Sequence, residues 1–225
     1  TPMQLQWLSY MVERGQFPAN TRLACDLAMP AGVSFTPIGN SKFYADATFD
    51  GGNYTISDLH VKVTTEYKGG LFGFVGGGTI KNLTISGTST NSTSSYIGAL
   101  IGYIDGNCTV QNVHIKDYRV ESPISYGVGG FVGQIGSRTP YRIEFIGCTT
   151  ENLNVSGYAN VGGIWGTSPG ATATIGIYNC ALNGTVNTIE VNGGICGGYG
   201  ASAKVEIIGL DNTKLDMTGK SKDSF

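Results

Sequence analysis

Carboxylate side chains that could act in pairs are few and widely spaced along this chain. The 225 residues include 16 Asp and Glu, and glycoside hydrolysis usually needs two carboxyl groups about 5–9.5 Å apart. Aligned on the repeats described below, Glu144 and Glu206 share one position but lie two repeats apart. Asp105 and Asp117 stand apart in this alignment, and only a loop would bring Asp117 to Glu121. We therefore expect no catalytic pair, and a polysaccharide lyase or hydrolase is the alternative hypothesis.

Metal ligands and nucleophiles are equally sparse. The five cysteines form no Cys-x-x-Cys pair, and His60 and His114 are the only histidines, so we predict no metal site and no cofactor. Cys148 and Cys180 occupy one position on adjacent repeats, where we expect a small buried apolar side chain. A disulfide between them stays open at this point.

Aromatic residues recur beside the repeats and form the candidate binding surface. Tyr67 and Tyr96 occupy the same position before their repeats, and Tyr126 lies one residue earlier in its repeat. Phe74 and Tyr103 occupy equivalent positions after their repeats. These residues are Tyr67, Tyr96, Tyr126, Phe74 and Tyr103. Stacked on an exposed flank, they would give a flat apolar surface that suits a sugar face or a protein partner. The alternative is that the rings pack against one another and cover the glycine-rich strands.

A glycine pentad is the element that must position these side chains. It occurs five times and begins at residues 69, 98, 129, 162 and 193, so the steps are 29, 31, 33 and 31 residues. The copies are Gly69-Gly70-Leu71-Phe72-Gly73, Gly98-Ala99-Leu100-Ile101-Gly102, Gly129-Gly130-Phe131-Val132-Gly133, Gly162-Gly163-Ile164-Trp165-Gly166 and Gly193-Gly194-Ile195-Cys196-Gly197. We interpret the glycines as sites of close backbone approach or special dihedral angles.

A second motif, apolar-x-polar-apolar, lies between the pentads. The chain after it alternates between apolar and polar residues, as strands with one buried face do. Two or three short strands in each repeat of ~30 residues, with no helix between them, predict an all-β fold, a right-handed parallel β-helix of about five to six coils. The polar position should form a structural ladder, because Asn tolerates left-handed turns and stacked amides hydrogen-bond. The predicted members are Asp58, Asn82, Asn112 and Asn179.

The N-terminal segment carries a helix signature instead. Thr1, Pro2 and Gln4 form a capping-box pattern, and apolar residues follow at helical spacing. Because solenoid ends expose core and strand edges, we expect this short α-helix to cap the bottom end. The chain then divides into a cap over residues 1–48, β-helix repeats over residues 49–215 and a polar tail over residues 216–225, all within one domain.

The composition excludes several classes of protein. Glycine makes up 35 of the 225 residues without recurring at every third position, which argues against a collagen triple helix and against a mostly helical protein. The net charge is −2 and no basic cluster exceeds two residues, so nucleic acid is a poor partner. No apolar run approaches the ~20 residues of a transmembrane helix.

The pentads resemble the GLUG repeats of bacterial cell-surface proteins. The lead-in is also similar: Phe35-Thr36-Pro37-Ile38-Gly39, with Phe35 where the family usually has Trp, is followed by FDGGNYTISDL over residues 49–59. The resemblance covers about residues 3–210 and implies a parallel β-helix, export and an adhesin-like role. Such repeats also accompany peptidase domains in some immunoglobulin-cleaving proteins. This chain has no His-Glu-x-x-His motif, so that activity does not carry over.

The sequence favours a non-catalytic, exported surface module that is adhesin-like. We expect it to bind a glycan or a host or matrix protein through an exposed face of the solenoid, outside the cell or at the cell surface. Two alternatives stay open. One is a polysaccharide-degrading enzyme on a β-helix, and the other is a passive stalk that holds another domain away from the cell.

Overall fold

A computed structural model describes residues 1–16, 18–39, 46–64, 68–93, 96–136, 140–168, 172–190, 192–199 and 203–218. These residues form a parallel β-solenoid of about six turns that follows one N-terminal helix, so the predicted fold class is confirmed. No helix in these ranges is long and apolar enough to cross a membrane.

Helix α1 (Pro2–Glu13) packs over the segment that precedes the first full coil. Its capping box is formed, since Gln4 N donates to Thr1 Oγ1 at 3.3 Å and Thr1 N donates to Gln4 Oε1 at 2.7 Å. The residues on its buried face are Leu5, Leu8, Ser9 and Val12. Ser9 Oγ also donates to the carbonyl oxygen of Pro37 at 2.8 Å, which ties the helix to the chain that enters the solenoid.

The strands follow one another in coils of similar content. Before the first full coil come β1 (Asn20–Arg22) and β2 (Leu27–Ala28). The first three coils contain β3 (Ala47–Val63) and β4 (Phe72–Val75), then β5 (Gly78–Asn91), β6 (Ile97–Gly98) and β7 (Ile101–Ile104), then β8 (Cys108–Ser122), β9 (Val128–Gly129) and β10 (Val132–Ile135). The last three contain β11 (Arg142–Ile146), β12 (Thr149–Gly157), β13 (Val161–Gly162) and β14 (Trp165–Ser168), then β15 (Thr174–Tyr178), β16 (Ala181–Thr188), β17 (Asn192–Gly193) and β18 (Cys196–Tyr199), and finally β19 (Lys204–Ile208) and β20 (Asp211–Thr218).

Three parallel sheets run up the solenoid. The long sheet has 11 strands and takes its members from every coil, while a five-stranded sheet joins β4, β7, β10, β14 and β18 and a four-stranded sheet joins β6, β9, β13 and β17. Inward side chains form rows from coil to coil. One row contains Phe49, Ile80, Val110, Phe145, Ile177 and Ile207. Every member except Ile207 is at most 1 % exposed, so the rows build a continuous core.

The pentad glycines allow the backbones of neighbouring coils to touch. Gly130 N donates to the carbonyl oxygen of Gly162 at 3.0 Å. A Cβ on Gly130 would collide with the carbonyl oxygen of Gly163 and lie 2.7 Å from Leu153 Cδ2. Glycine is therefore required at position 130 because there is no space for a side chain.

The asparagine ladder is present for three of its four predicted members. Asn82, Asn112 and Asn179 have φ values of 54°, 51° and 53°, in the left-handed region. Asn112 Nδ2 donates to Asn82 Oδ1 at 3.3 Å, and Asn82 Nδ2 donates to Asp50 Oδ1 at 3.1 Å. Gly147 continues this row with a φ of 61°, as the strand pairing on either side of it requires.

The predicted place of Asp58 in that ladder is wrong. The first coil pairs Asp50 with Lys81 and Tyr54 with Leu83, so residues 51–53 lie opposite Asn82. Asp58 (φ 56°) instead lies at a second corner of the long sheet, between the pairs that join Ile56 and Leu59 to the next coil. Ser86 stands opposite it on the next coil, Asp117 and Asn152 follow on the two coils after that, and Asn152 Nδ2 donates to Asp117 Oδ1 at 2.9 Å. The solenoid therefore has two polar ladders.

Replacing Asn112 tests the dihedral requirement of the first ladder. We expect Asn112→Ala to lower the free energy of unfolding by about 1–2 kcal/mol, because alanine resists the left-handed region and removes the hydrogen bond to Asn82. Asn112→Gly should cost less than half of that, since Gly147 and Gly209 occupy equivalent positions naturally. Urea unfolding of both variants provides the measurement. Equal losses would contradict a dihedral origin.

Candidate binding site

The corner that leads from the long sheet into the pentads carries a tyrosine on three successive coils. Tyr96 directly precedes β6, Tyr126 lies two residues before β9, and Tyr158 lies three residues before β13. Phe74 and Tyr103 follow on the adjoining strands β4 and β7. We call this surface the aromatic flank and define it by Lys68, Phe74, Tyr96, Tyr103, Tyr126 and Tyr158.

The lower part of the aromatic flank is a cluster of three rings with one cation. Phe74 pairs with Tyr103 across neighbouring strands, and their ring centroids are 5.4 Å apart at an interplanar angle of 69°. Tyr96 stacks on Tyr103 at 6.2 Å and 28°. Lys68 Nζ lies 5.0 Å from the centroid of Tyr96 and 5.7 Å from that of Phe74. Such cation–π contacts contribute about 0.5–1 kcal/mol at exposed sites, so Lys68 helps to hold the cluster.

The upper part of the aromatic flank is a tyrosine pair with an acidic neighbour. Tyr126 is 53 % exposed, and its ring centroid lies 5.3 Å from that of Tyr158 at 77°. Tyr158 Oη donates to Glu190 Oε1 at 2.6 Å, and this hydrogen bond raises the pKa of the Tyr158 hydroxyl. Ile124 and Ile189, on the same corners, are 46 % and 61 % exposed. This end offers apolar surface beside a carboxylate.

The predicted binding residues separate into these two parts. Phe74 and Tyr103 are equivalent, as their spacing indicated. Tyr126 does not continue the stack that contains Tyr96, because its ring contacts Tyr158. Tyr67 lies outside the described residues. That these rings contact a ligand stays a prediction.

Sequence reasoning missed the charged members of the site. Lys68 stands directly before the first pentad, and Glu190 stands three residues before the fifth pentad, the distance at which Tyr126 precedes the third. The signal was the alignment of all residues that precede a pentad. The prediction considered only the aromatic residues in that alignment and therefore did not include Lys68 and Glu190.

The arrangement closest to acid–base chemistry lies on the long sheet. Glu144 and Glu206 share one column with Gly176 between them, so their predicted separation by two coils is observed. Arg142 Nε donates to Glu144 Oε1 at 2.9 Å, and Arg142 Nη2 lies 3.5 Å from Glu206 Oε2. Tyr178 Oη donates to Glu206 Oε2 at 2.7 Å. The sequence analysis missed Arg142 and Tyr178, although Arg142 stands two residues before Glu144 and therefore on the same face of the strand.

The electrostatics of this cluster favour an ion-pair network over a catalytic acid. The hydrogen bond from Tyr178, with the nearby charge of Arg142, lowers the pKa of Glu206. A general acid that works near neutral pH needs a carboxyl pKa raised toward that pH. Both carboxylates also face the same guanidinium. The cluster is therefore a network of ion pairs and a hydrogen bond that connects three successive coils.

Asp117 and Glu121 are also engaged with separate partners. Asp117 and Glu121 both lie on strand β8, so no loop brings them together. Asp117 accepts the hydrogen bond from Asn152, while Glu121 Oε2 pairs with Arg119 Nη2 at 2.6 Å. These contacts give each carboxylate a structural role.

The cysteines and histidines form no metal site in the described ranges, where no three His, Cys, Asp or Glu side chains converge. All five cysteines are free thiols. Cys148 and Cys180 lie on adjacent coils as predicted, and their Sγ atoms donate to the carbonyl oxygens of Val110 and Phe145 at 3.3 and 3.4 Å. Burial raises the pKa of the Cys148 thiol, whereas the contact with Cys148 lowers the pKa of the Cys180 thiol.

Metal removal should leave the solenoid unchanged. We expect EDTA to produce no shift in the thermal unfolding curve, because arginine side chains already pair with Glu121 and Glu144, and Asn152 already donates a hydrogen bond to Asp117. Circular dichroism with and without EDTA provides the measurement. A fall in the melting temperature that added calcium reverses would instead indicate a calcium-stabilised solenoid.

Comparison with known proteins supports the architecture and assigns no family. No protein-family profile matches the chain, and no curated protein matches it. A crystal structure of a protein named as a "putative immunoglobulin A1 protease from Bacteroides ovatus" is similar in fold, with a TM-score of 0.71 and 21 % sequence identity. The match covers 92 % of this chain and 63 % of the other, so this chain spans less than two thirds of that protein. At this identity the likeness concerns the fold alone.

Proposed function

We propose that the chain is a non-catalytic, exported, adhesin-like module that binds a glycan or an extracellular protein through the aromatic flank. The observation that carries the proposal is the succession of rings along one flank of the solenoid, with Tyr126 half exposed at its upper part. Rings offer a large, rigid contact area at low entropic cost, and their faces suit sugar rings as well as apolar protein surfaces.

The flank supports weak binding by a single module. Its rings lie on a surface corner, and the cavity nearest to Ile189 holds about 260 Å³, below the volume of typical ligand pockets. Two charges, on Lys68 and Glu190, border the rings. A shallow contact with few anchors buries little area, so useful attachment would come from many copies on one surface.

The resemblance to GLUG repeats supports export and an adhesin-like role. The resemblance rests on the pentads and the lead-in segment, and we propose that this chain is related to the GLUG-repeat proteins. The similar solved structure carries the name of a protease, but this chain lacks a His-Glu-x-x-His motif, and His60 and His114 stand 54 positions apart in the sequence. The residues of this chain therefore favour binding over peptide hydrolysis.

An array that carries both glycans and matrix proteins tests the proposal. We expect the folded protein to bind a restricted set of spots, and we expect Tyr126→Ala to lose that binding while it keeps the circular dichroism spectrum. A blank array would favour the passive stalk. Depolymerisation of a polysaccharide that Glu144→Gln abolishes would establish the enzyme and overturn the proposal.

A further inference from the structure

Two buried thiols lie opposite each other on the fourth and fifth coils. Directly after them Thr149 pairs with Ala181, and the N–H of Ala181 donates to the carbonyl oxygen of Cys148 at 3.0 Å. Cys148 and Cys180 are therefore register neighbours, and they are only 1 % and 2 % exposed. Neither the aromatic flank nor the cluster around Glu144 uses these thiols.

Both cysteine side chains point in the same direction. Cys148 Sγ donates to the carbonyl oxygen of Val110, and Cys180 Sγ donates to that of Phe145. Val110 and Phe145 are themselves strand partners on adjacent coils, so the second contact repeats the first one coil higher. Parallel strands lie about 4.7–4.9 Å apart, which is within the Cα separation of about 4.4–6.8 Å that a disulfide spans. Rotation of the side chains, without separation of the coils, can therefore join the two sulfur atoms.

The other three cysteines have different surroundings. Cys108 lies opposite Ile143, and Cys196 lies opposite Trp165. Cys25 is exposed and lies outside the strands. Among the described residues, adjacent coils place two cysteines side by side only on the fourth and fifth coils.

We propose that Cys148 and Cys180 form a site of thiol–disulfide exchange, which closes into a disulfide that joins the fourth and fifth coils. The oxidant is a second disulfide, such as oxidised glutathione. The contact with Cys148 lowers the pKa of the Cys180 thiol, so Cys180 supplies the attacking thiolate.

The exchange proceeds in two steps. The Cys180 thiolate attacks one sulfur of the donor disulfide, which forms a mixed disulfide and releases the first donor thiolate. The Cys148 sulfur, after it loses its proton, attacks the Cys180 sulfur and releases the second donor thiolate. One S–S bond breaks and one S–S bond remains in the product. The two cysteine sulfurs are oxidised, and the donor is reduced to two thiols that take up the two protons.

The new bond would close a loop of about one coil. A loop of this length restricts the unfolded chain enough to raise the melting temperature by about 8 °C. Export, as proposed above, would bring the pair into an oxidising environment, where disulfides persist. The inference itself concerns only the thiols, so its failure would leave the proposed binding by the aromatic flank untouched.

Thiol titration of the full chain tests this inference. Cys25→Ser removes the exposed thiol and reduces the five cysteines to four. The variant is incubated with oxidised and reduced glutathione in urea below the unfolding transition, where coils open locally. Titration after denaturation should then find two thiols in place of four, and peptide mapping should find Cys148 joined to Cys180. Four remaining thiols, or a disulfide that contains Cys108 or Cys196, would overturn the proposal.

Matched variants separate this pair from the other buried cysteines. In the Cys25→Ser chain, Cys148→Ser should keep all three of its thiols, whereas Cys196→Ser should fall from three thiols to one. Oxidation should raise the melting temperature of Cys25→Ser and of its Cys196→Ser derivative by about 8 °C. It should leave the Cys148→Ser derivative unchanged. A disulfide at this site that gives no gain in melting temperature would contradict its role in joining the coils.

Discussion

Gly130→Val should lower the free energy of unfolding by about 3 kcal/mol and the melting temperature by about 10 °C. The backbone at this pentad position touches the coil above, where a Cβ would meet the carbonyl oxygen of Gly163 and a methyl group of Leu153. Relief would require the two coils to separate, which weakens the hydrogen bond from Gly130 to Gly162. Thermal unfolding followed by circular dichroism measures the change.

The fifth pentad supplies the control for this substitution. Gly194 holds the same position as Gly130, but a Cβ there would meet its nearest atom, Met217 Sδ, at an ordinary 3.5 Å. We therefore expect Gly194→Ala to leave the melting temperature almost unchanged, while Gly130→Ala should lower it clearly. Similar behaviour of the two alanine variants would contradict close coil-to-coil approach as the reason for the glycine.

The second large effect concerns binding. Replacing Tyr96 and Tyr126 together by alanine should weaken binding to a ligand found on the array by at least about thirtyfold, because the loss of even one buried aromatic anchor, at about 2 kcal/mol, gives that factor. For a weak single-site contact, such a loss places binding beyond detection. Isothermal titration calorimetry on the folded variant provides the measurement.

An exposed tyrosine outside the flank controls for a general effect of removing rings. Tyr10 lies on α1, outside the flank, is 45 % exposed and stacks on Trp7, so Tyr10→Ala removes a comparable ring from another part of the molecule. Its affinity for the ligand should match that of the unmodified chain. An equal loss in Tyr10→Ala would place the contact elsewhere.

The repeat period predicted most of the fold because a solenoid turns sequence spacing directly into stacking. From the second coil upward, the columns that contain Asn82, Asn112 and Asn179 follow the spacing of the second motif. The first coil broke the pattern, because residues 51–53 occupy the turn where each later coil uses a single asparagine or glycine. The distance in sequence from Asp58 to Asn82 is shorter than the later steps between ladder residues. This shorter distance is the sequence feature that indicates a different position for Asp58.

The site was less predictable because side-chain direction depends on small displacements. Tyr96 lies one residue before its strand and leans over Gly127 toward Tyr103, as the close approach of its Cδ1 to Gly127 shows. Tyr126 lies one residue further from its strand, and its ring meets Tyr158 instead. In extended chain a shift of one residue reverses the side on which a side chain projects. Spacing near the pentads could therefore indicate an aromatic flank but not which rings would touch.

We propose that the aromatic flank, and not the cluster around Glu144, carries the function of this chain. The most direct test measures binding of the array ligand to Tyr126→Ala and Glu144→Gln side by side, with circular dichroism to establish that both are folded. We predict that Tyr126→Ala loses most of the affinity and that Glu144→Gln retains it. Retained binding in Tyr126→Ala, together with loss in Glu144→Gln, would contradict the account.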